Sequence, residues 1–221
     1  MLHNTHDWAV ILAGGPASCE ESLQRAAAVA PRERTCVLLT ASPRRRGRAG
    51  WSAIDPRNTI VQPRRRGTAL DVLLPLLHLE RRDPRARVAI LPSARYAVAP
   101  ERLGRSLRLA MSQVASRVDE IVRVEAATRR AGASVLLVAR VDSLLGLYER
   151  RFPHVVHALD WAVERDALDG GHAVAELYEQ LPSIDLARHL LHDQDRHLRT
   201  PLAADGAVVV RLAAPALNAA L

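Results

Sequence analysis

The sequence contains no lysine. All 31 of the Lys and Arg residues in its 221 positions are arginine. The chain therefore has no lysine nucleophile, no lysine Schiff base and no P-loop lysine. Any group that holds a phosphate must be an arginine, a backbone N–H or a bound metal.

Aromatic residues and cysteines are also scarce. Aromatic residues make up 3% of the chain, so its core must be built from Leu, Val, Ile and Ala. Cys19 and Cys36 are too few for a disulfide framework and lack metal-ligand spacing, so we expect reduced thiols. No apolar run approaches the roughly 18 residues that span a bilayer, and residues 1–7 lack the pattern of a signal peptide. These absences predict a cytoplasmic protein with no membrane partner.

The charge of +7 comes with arginine clusters at positions 44–48, 64–66 and 81–82. Such clusters attract nucleotides or nucleic acid. A zinc module, an aromatic RNA-binding pattern and a helix-turn-helix signal are all missing from the sequence. We therefore expect solvated surface arginines and no nucleic-acid partner.

The most informative stretch is Asp-Trp-Ala-Val-Ile-Leu-Ala-Gly-Gly at 7–15. Its apolar run predicts a strand buried on both faces. Ala13, Gly14 and Gly15 allow a sharp turn and a close approach of a ligand to the main chain. A helix over 17–30, capped by Ser18, would aim its first N–H groups at the same place and favour an anion there. An ordinary strand-to-helix turn explains the same residues without a ligand.

The remaining pattern predicts an α/β fold. We expect strands at 35–40, 59–62, 87–91, 120–125 and 134–139, and helices at 69–82 and 100–116. Thr68 is the predicted N-cap of the first of these helices, and Pro75 should kink it or shift its start. Helical segments follow at 142–151, 154–165, 172–180 and 184–192, the last capped by Ser183, and 208–212 is a candidate final strand. The prediction is a single domain over 1–221, with a doubly wound, mostly parallel Rossmann-like sheet in 1–140 and a mainly helical part in 141–221.

Several blocks, in this order, resemble the mannose-1-phosphate guanylyltransferase family of sugar-nucleotide pyrophosphorylases. They are the apolar-Ala-Gly-Gly run at 8–15, Gln-Pro at 62–63 with Arg-Gly-Thr-Ala at 66–69, Leu-Glu-Arg-Arg-Asp-Pro at 79–84, 88–96, 134–147, and Leu-Pro-Ser-Ile-Asp at 181–185. The resemblance implies a nucleotidyltransferase sheet, GTP as donor, a sugar 1-phosphate as acceptor, and Mg²⁺. Nucleotide-binding positions carried over from it are Ala13, Gly14, Gly15, Arg66, Gly67, Thr68, Ser93 and Arg95.

The sequence departs from the family where the chemistry is done. The family's metal-binding Asp after the fourth strand is Ala94 here, and the family's phosphate-binding Lys is missing. The segment that supplies a second metal carboxylate corresponds to 211–215, which has none, and the sugar-binding insertion is reduced to 126–132. Mg²⁺ is usually held by one or two carboxylates plus substrate phosphates. We therefore expect an impaired nucleotidyltransferase, a pseudoenzyme that binds a nucleotide of the GTP or GDP-mannose class, with no assigned catalytic or metal-binding residue.

Two other functions remain open. An active transferase with a rebuilt site, using Mg²⁺, would need new carboxylates, for which the candidates are Asp71, Asp83, Asp119 and Asp185. A regulatory subunit that pairs with an active homologue, or with itself, would use an apolar helical surface within 155–191. The histidine pairs His154/His157 and His189/His192 have helical spacing but no accompanying Glu or Cys ligands, so we expect no metal there.

Overall fold

A computed structural model describes residues 4–14, 18–41, 49–96, 98–116, 120–127, 133–191, 202–204 and 207–213. Its centre is an eight-stranded sheet with the order β3-β2-β1-β4-β6-β5-β8-β7. The strands are β1 Asp7–Leu12, β2 Thr35–Thr40, β3 Thr59–Gln62, β4 Arg87–Pro92, β5 Glu120–Ala127, β6 Ala133–Arg140, β7 Leu202–Ala204 and β8 Ala207–Ala213. The helices are α1 Cys19–Ala26, α2 Thr68–Arg82, α3 Pro100–Ser116, α4 Val141–Arg151, α5 Pro153–Asp169 and α6 Ala173–Gln180, followed by a π-helical turn at Ala187–Leu191.

The sheet has a parallel half and an antiparallel half. Strand β1 pairs in parallel with β2 and β4, and β2 pairs in parallel with β3. Ile11 lies opposite Val37 on one side and Leu91 on the other. Strand β6 then runs antiparallel to β4, and the remaining neighbours are antiparallel too, so the described sheet is mixed and the predicted parallel pairing holds only for β1 to β4. The carboxyl ends of β1 to β4 therefore lie at one edge, where open α/β sheets bind ligands.

Helices cover both faces of the sheet, as the doubly wound prediction requires. Trp8 and Val10 face a core formed with α2, α4, α5 and α6. Ala9 and Ile11, which alternate with them along β1, face a second core formed with α1 and α3. This alternation follows from the period of two along a strand, and it explains why β1 is apolar throughout.

Several predicted ends and caps are wrong. Helix α1 ends at Ala26, and 27–30 form a turn instead of continuing the helix. Gly67 occupies the N-cap of α2 with a φ of +89°, and Thr68 is the first helical residue. The helix is continuous through the buried Pro75. Tertiary packing of α2 on the sheet and on α4 overrides the local signals that the sequence offers.

The C-terminal part is helical as predicted, and its last described strands return to the sheet. Strand β8 pairs with β5 along its whole length, and β7 closes a hairpin with it. Ser183 is not the cap of the last helical turn; Asp185 is, since its carboxylate accepts the Arg188 amide at 2.9 Å. In the described ranges, no helix combines the length and the apolar character needed to cross a membrane.

Candidate functional site

The ends of β1 and β4 lie side by side at the carboxyl edge of the sheet. The Ala13 amide donates to the Leu38 carbonyl at 3.0 Å, which extends the pairing of β1 with β2 beyond its last residue. The Ser93 amide donates to the Leu12 carbonyl at 3.1 Å on the other side. Two of the predicted groups, Ala13 with Gly14 and Ser93 with Arg95, therefore meet at one edge.

Arg65 reaches this edge, although the sequence did not single it out. Gly14 is exposed and has a φ of +111°, a conformation that residues with a β-carbon rarely adopt. A β-carbon placed on Gly14 would lie 3.9 Å from Nη1 of Arg65. The Arg65 guanidinium therefore lies close to the Gly14 backbone at the end of β1. We call Ala13, Gly14, Arg65, Ser93 and Arg95 the strand-end site; Gly15 lies outside the described residues.

Asp71 holds the Arg65 side chain. Nη2 of Arg65 donates to Oδ2 of Asp71 at 3.4 Å, and the aspartate side chain is 5% exposed against 60% for the arginine. Burial raises the pKa of Asp71, while its contacts with Gln62 and Arg65 oppose that shift. Gln62, also buried, donates to the Thr40 hydroxyl at 3.0 Å. One exposed cation at the edge is therefore anchored on a buried carboxylate behind it.

Arg66, Gly67 and Thr68 are engaged by the C-terminal segment of the chain. The Arg66 guanidinium donates to the carbonyls of Tyr178 and Glu179, both at 2.7 Å, at the last turn of α6. The Thr68 hydroxyl donates to Asp185 at 3.2 Å and accepts the Leu186 amide at 2.8 Å. These contacts give Arg66 and Thr68 a structural role, and a nucleotide-binding role for them stays a prediction.

Backbone bonds complete this docking. The Ile184 amide donates to the Arg66 carbonyl at 2.9 Å, and the Ala69 amide donates to the Ile184 carbonyl at 3.0 Å. The second bond satisfies one of the amides that every helix leaves free in its first turn. The two sequence blocks at 66–69 and 181–185 are therefore partners in space, which the sequence order alone did not indicate.

The loop after β4 is held down on α1. Nη1 and Nη2 of Arg25 donate to the carbonyls of Pro92 and Ala94 at 3.3 Å and 3.0 Å. The buried Ser93 hydroxyl contacts the Ser22 hydroxyl at 2.8 Å. Ala94 packs against the core on this face of the sheet. The position that holds a metal carboxylate in the resembling family thus carries a methyl group that contacts apolar side chains.

The N-terminus of α1 is capped by the side chains of Ser18 and Glu21. The Ser18 hydroxyl accepts the Glu21 amide at 3.1 Å, and the Glu21 carboxylate accepts the Ser18 amide at 2.8 Å, which is a capping box. The hydrogen bond from the Ser18 amide is the main cause that lowers the pKa of Glu21, and the positive charge of Arg95 lowers it further. The expected anion at this helix end is therefore a carboxylate of the chain itself. The capping box satisfies the amides of Ser18 and Glu21, and an anion on the other first-turn amides stays a prediction.

The residues present do not fit the magnesium site that the resemblance implies. Ala94 offers no ligand, and Asp71 and Asp185 are bound to Arg65 and Thr68. Asp83 accepts Nε1 of Trp8 at 2.9 Å beside β1, away from the strand-end site. In the part of the chain that the structure describes, no three His, Cys, Asp or Glu side chains form a group that could hold a metal. Asp119 and His192 lie outside that part.

The comparisons with known proteins agree with this fold. The chain is similar to mannose-1-phosphate geranyltransferase from Thermus thermophilus, with a TM-score of 0.59 and 18% identity over 85% of this chain and 71% of that one. It is also similar to mannose-6-phosphate isomerase from Helicobacter pylori, with a TM-score of 0.56 and 11% identity over 84% of this chain and 92% of that one. No protein-family model and no curated protein matches the sequence. The likeness therefore shows that this chain shares its α/β fold with these two structures.

Proposed function

We propose that the strand-end site binds the phosphate groups of a nucleotide or sugar nucleotide of the GTP or GDP-mannose class, without magnesium-dependent nucleotidyl transfer. The observation that carries this proposal is the Arg65 guanidinium over Gly14 at the carboxyl end of β1. Sugar-phosphate enzymes with a similar fold, and the sequence blocks described above, supply the ligand class.

The electrostatics of the site support an anionic ligand. Arg65 presents planar N–H donors that match phosphate oxygens, and the buried Asp71 fixes its direction. Arg95 is exposed at the end of β4 and lies 4.0 Å from Glu21, too far for a strong ion pair. Gly14 adds a backbone that a ligand can approach closely. The site can therefore orient a phosphate by arginine and main-chain groups alone.

The same residues explain why we propose binding without efficient transfer. Attack of a sugar phosphate on the α-phosphate requires stabilisation of the leaving pyrophosphate, usually by a metal that bridges phosphate oxygens. Ala94 and the paired Asp71 provide no carboxylate free to hold such a metal. A guanidinium neutralises charge but does not replace the geometry of a bridging cation.

The first test is calorimetric titration of the full chain with GDP-mannose and with GTP. We expect a dissociation constant of about micromolar or weaker and the same value with Mg²⁺ or with EDTA, because the described donors do not form a metal site. Robust magnesium-dependent release of pyrophosphate from GTP and mannose 1-phosphate would contradict the proposal and favour a rebuilt active site.

Replacement of Arg65 tests the geometry directly. Arg65→Ala should weaken GDP-mannose binding about tenfold or more, since a charge-assisted bond to phosphate is worth about 1.5–3 kcal/mol. Arg64→Ala is a matched control, because Arg64 is the neighbouring arginine and pairs with Glu179 at 2.8 Å. It should leave the dissociation constant within about twofold, as expected for an exposed pair. Equal losses in both variants would show that Arg65 has no special role.

Asp71→Asn should act in the opposite direction. It removes the negative charge that partly neutralises Arg65 and keeps the shape of the buried side chain. We expect about threefold to tenfold tighter binding, because the carboxylate no longer competes with the phosphate for Arg65, an effect of roughly 1 kcal/mol. If Asp71 were instead a metal ligand, this variant would weaken binding in the presence of Mg²⁺, and the same titration would reveal that.

A further inference from the structure

A groove of about 890 Å³ runs between α1 and α3, on the helical side of the loop after β4. Its floor lies where α3 approaches the turn that follows α1, since a β-carbon on Gly104 would come within 3.3 Å of Cβ of Ala28. The same added atom would lie 3.4 Å from Nη1 of Arg108, so this guanidinium folds back along α3 over Gly104. The groove is within the usual size range of a small-molecule site.

The walls of this groove are strongly basic. Three elements contribute its arginines, which are Arg25 from α1, Arg95 from the loop after β4, and Arg105 and Arg108 from α3. Glu21 and Glu101 are the two carboxylates of the lining, which leaves an excess of positive charge. Arg105 and Arg108 are three positions apart and therefore share a face of α3. Within the described ranges, neither makes an ion pair, so their donors are available to a ligand.

Arg25 adds a cation that is already partly desolvated. Its guanidinium carbon lies 4.5 Å from the centre of the Tyr96 ring, and its hydrogen bonds go to the carbonyls of Pro92 and Ala94. Burial lowers the pKa of Arg25, while Tyr96 and then Glu21 oppose that shift. The half-buried Arg25 guanidinium lines the groove, and an anion bound there would stabilise its positive charge.

We propose that this groove is a second binding site, for a small ligand that carries two or more linked phosphate groups. Guanidinium groups from three elements can each contact a different phosphate of one ligand. A ligand with a single phosphate cannot contact all of them at once. The groove shares Arg95 with the strand-end site but includes neither Arg65 nor Gly14, and the proposal does not rest on nucleotide binding at the strand-end site. The concave shape and limited volume favour a small molecule over a nucleic-acid strand.

The test is calorimetric titration of the full chain with inorganic pyrophosphate in EDTA, with inorganic phosphate as the comparison. We expect pyrophosphate to bind at least tenfold more tightly than phosphate, and its affinity to fall with added NaCl. The double variant Arg105→Gln/Arg108→Gln should weaken pyrophosphate binding at least tenfold. Arg102→Gln, an exposed arginine of α3 outside the groove, is the matched control and should stay within twofold.

Arg65→Ala separates the two sites. Under the proposal, this variant keeps pyrophosphate binding that Arg105 and Arg108 support, even if the chain never binds GDP-mannose. The proposal is overturned if the wild-type chain does not bind pyrophosphate, if phosphate binds equally well, or if Arg65→Ala alone abolishes binding. Wild-type affinity in the double variant would overturn it as well. The single variants Arg105→Gln and Arg108→Gln, checked by their urea midpoints, replace the double variant if it unfolds.

Discussion

Replacing Gly67 with alanine is expected to lower the free energy of unfolding by about 3 kcal/mol or more. Gly67 has a φ of +89°, where a β-carbon is strained. An added β-carbon would also lie 2.7 Å from both the amide nitrogen and the carbonyl carbon of Ile184, and would contact its carbonyl oxygen more closely still. These atoms are backbone and cannot move without breaking the bonds from 181–186 to the start of α2.

Gly170→Ala is the matched control for this variant. Gly170 also has a positive φ, +61°, at the C-terminal end of α5, but nothing lies within 4 Å of an added β-carbon. Gly170→Ala should lower the free energy of unfolding by only about 1 kcal/mol, because the added β-carbon is strained by the positive φ but contacts no other atom. Urea unfolding of the three proteins measures both losses. Equal losses would show that the contact with Ile184 does not restrict position 67.

His78 should make the protein sensitive to mild acid. Burial lowers the pKa of His78 from 6.5 to about 4, and the charges of Arg81 and Arg82 act in the same direction. Between these two pH values the unfolded chain binds a proton that the folded chain does not. The contribution of His78 to stability is therefore intact above about pH 6.5, declines as the pH falls, and is lost at about pH 4. The full loss corresponds to about 3 kcal/mol.

His78→Gln removes the titrating group and tests this sign. The free energy of unfolding, measured in urea from pH 7.5 to pH 4, should fall more steeply in the wild-type chain than in the variant. The gap between the two curves should change by about 3 kcal/mol across that range. His154→Gln, at an exposed position of α5, controls for loss of a histidine. Parallel curves for wild type and His78→Gln would refute the prediction.

The elements of the fold were largely predictable from the sequence. Strands β2 and β3 and helix α3 have the predicted ends, because apolar runs and a proline at the first helical position mark them clearly. The caps were less predictable. Thr68 and Ser183 have good cap chemistry, but Gly67 and Asp185 hold those positions because 181–186 docks on the start of α2. That docking is a long-range contact, which local signals do not encode.

The strand-end site was predictable only in part. Gly14, Ser93 and Arg95 follow parallel strands, so their common edge follows from the topology. The three consecutive arginines at 64–66 look alike in the sequence, yet their side chains go to three different places. Arg64 pairs with Glu179, Arg65 with Asp71, and Arg66 with the carbonyls at the end of α6. Only tertiary packing distinguishes the arginine that faces the edge from its neighbours.

The bonds between Thr68 and the segment at 185–186 join positions 117 and 118 residues apart. Closing so long a loop is entropically costly, and contacts of this range slow folding. During synthesis, β1 to β4 and α2 emerge well before their partner at 181–186 exists. The Ala69 amide at the start of α2 therefore gains its partner, the Ile184 carbonyl, only after most of the polypeptide has been synthesised.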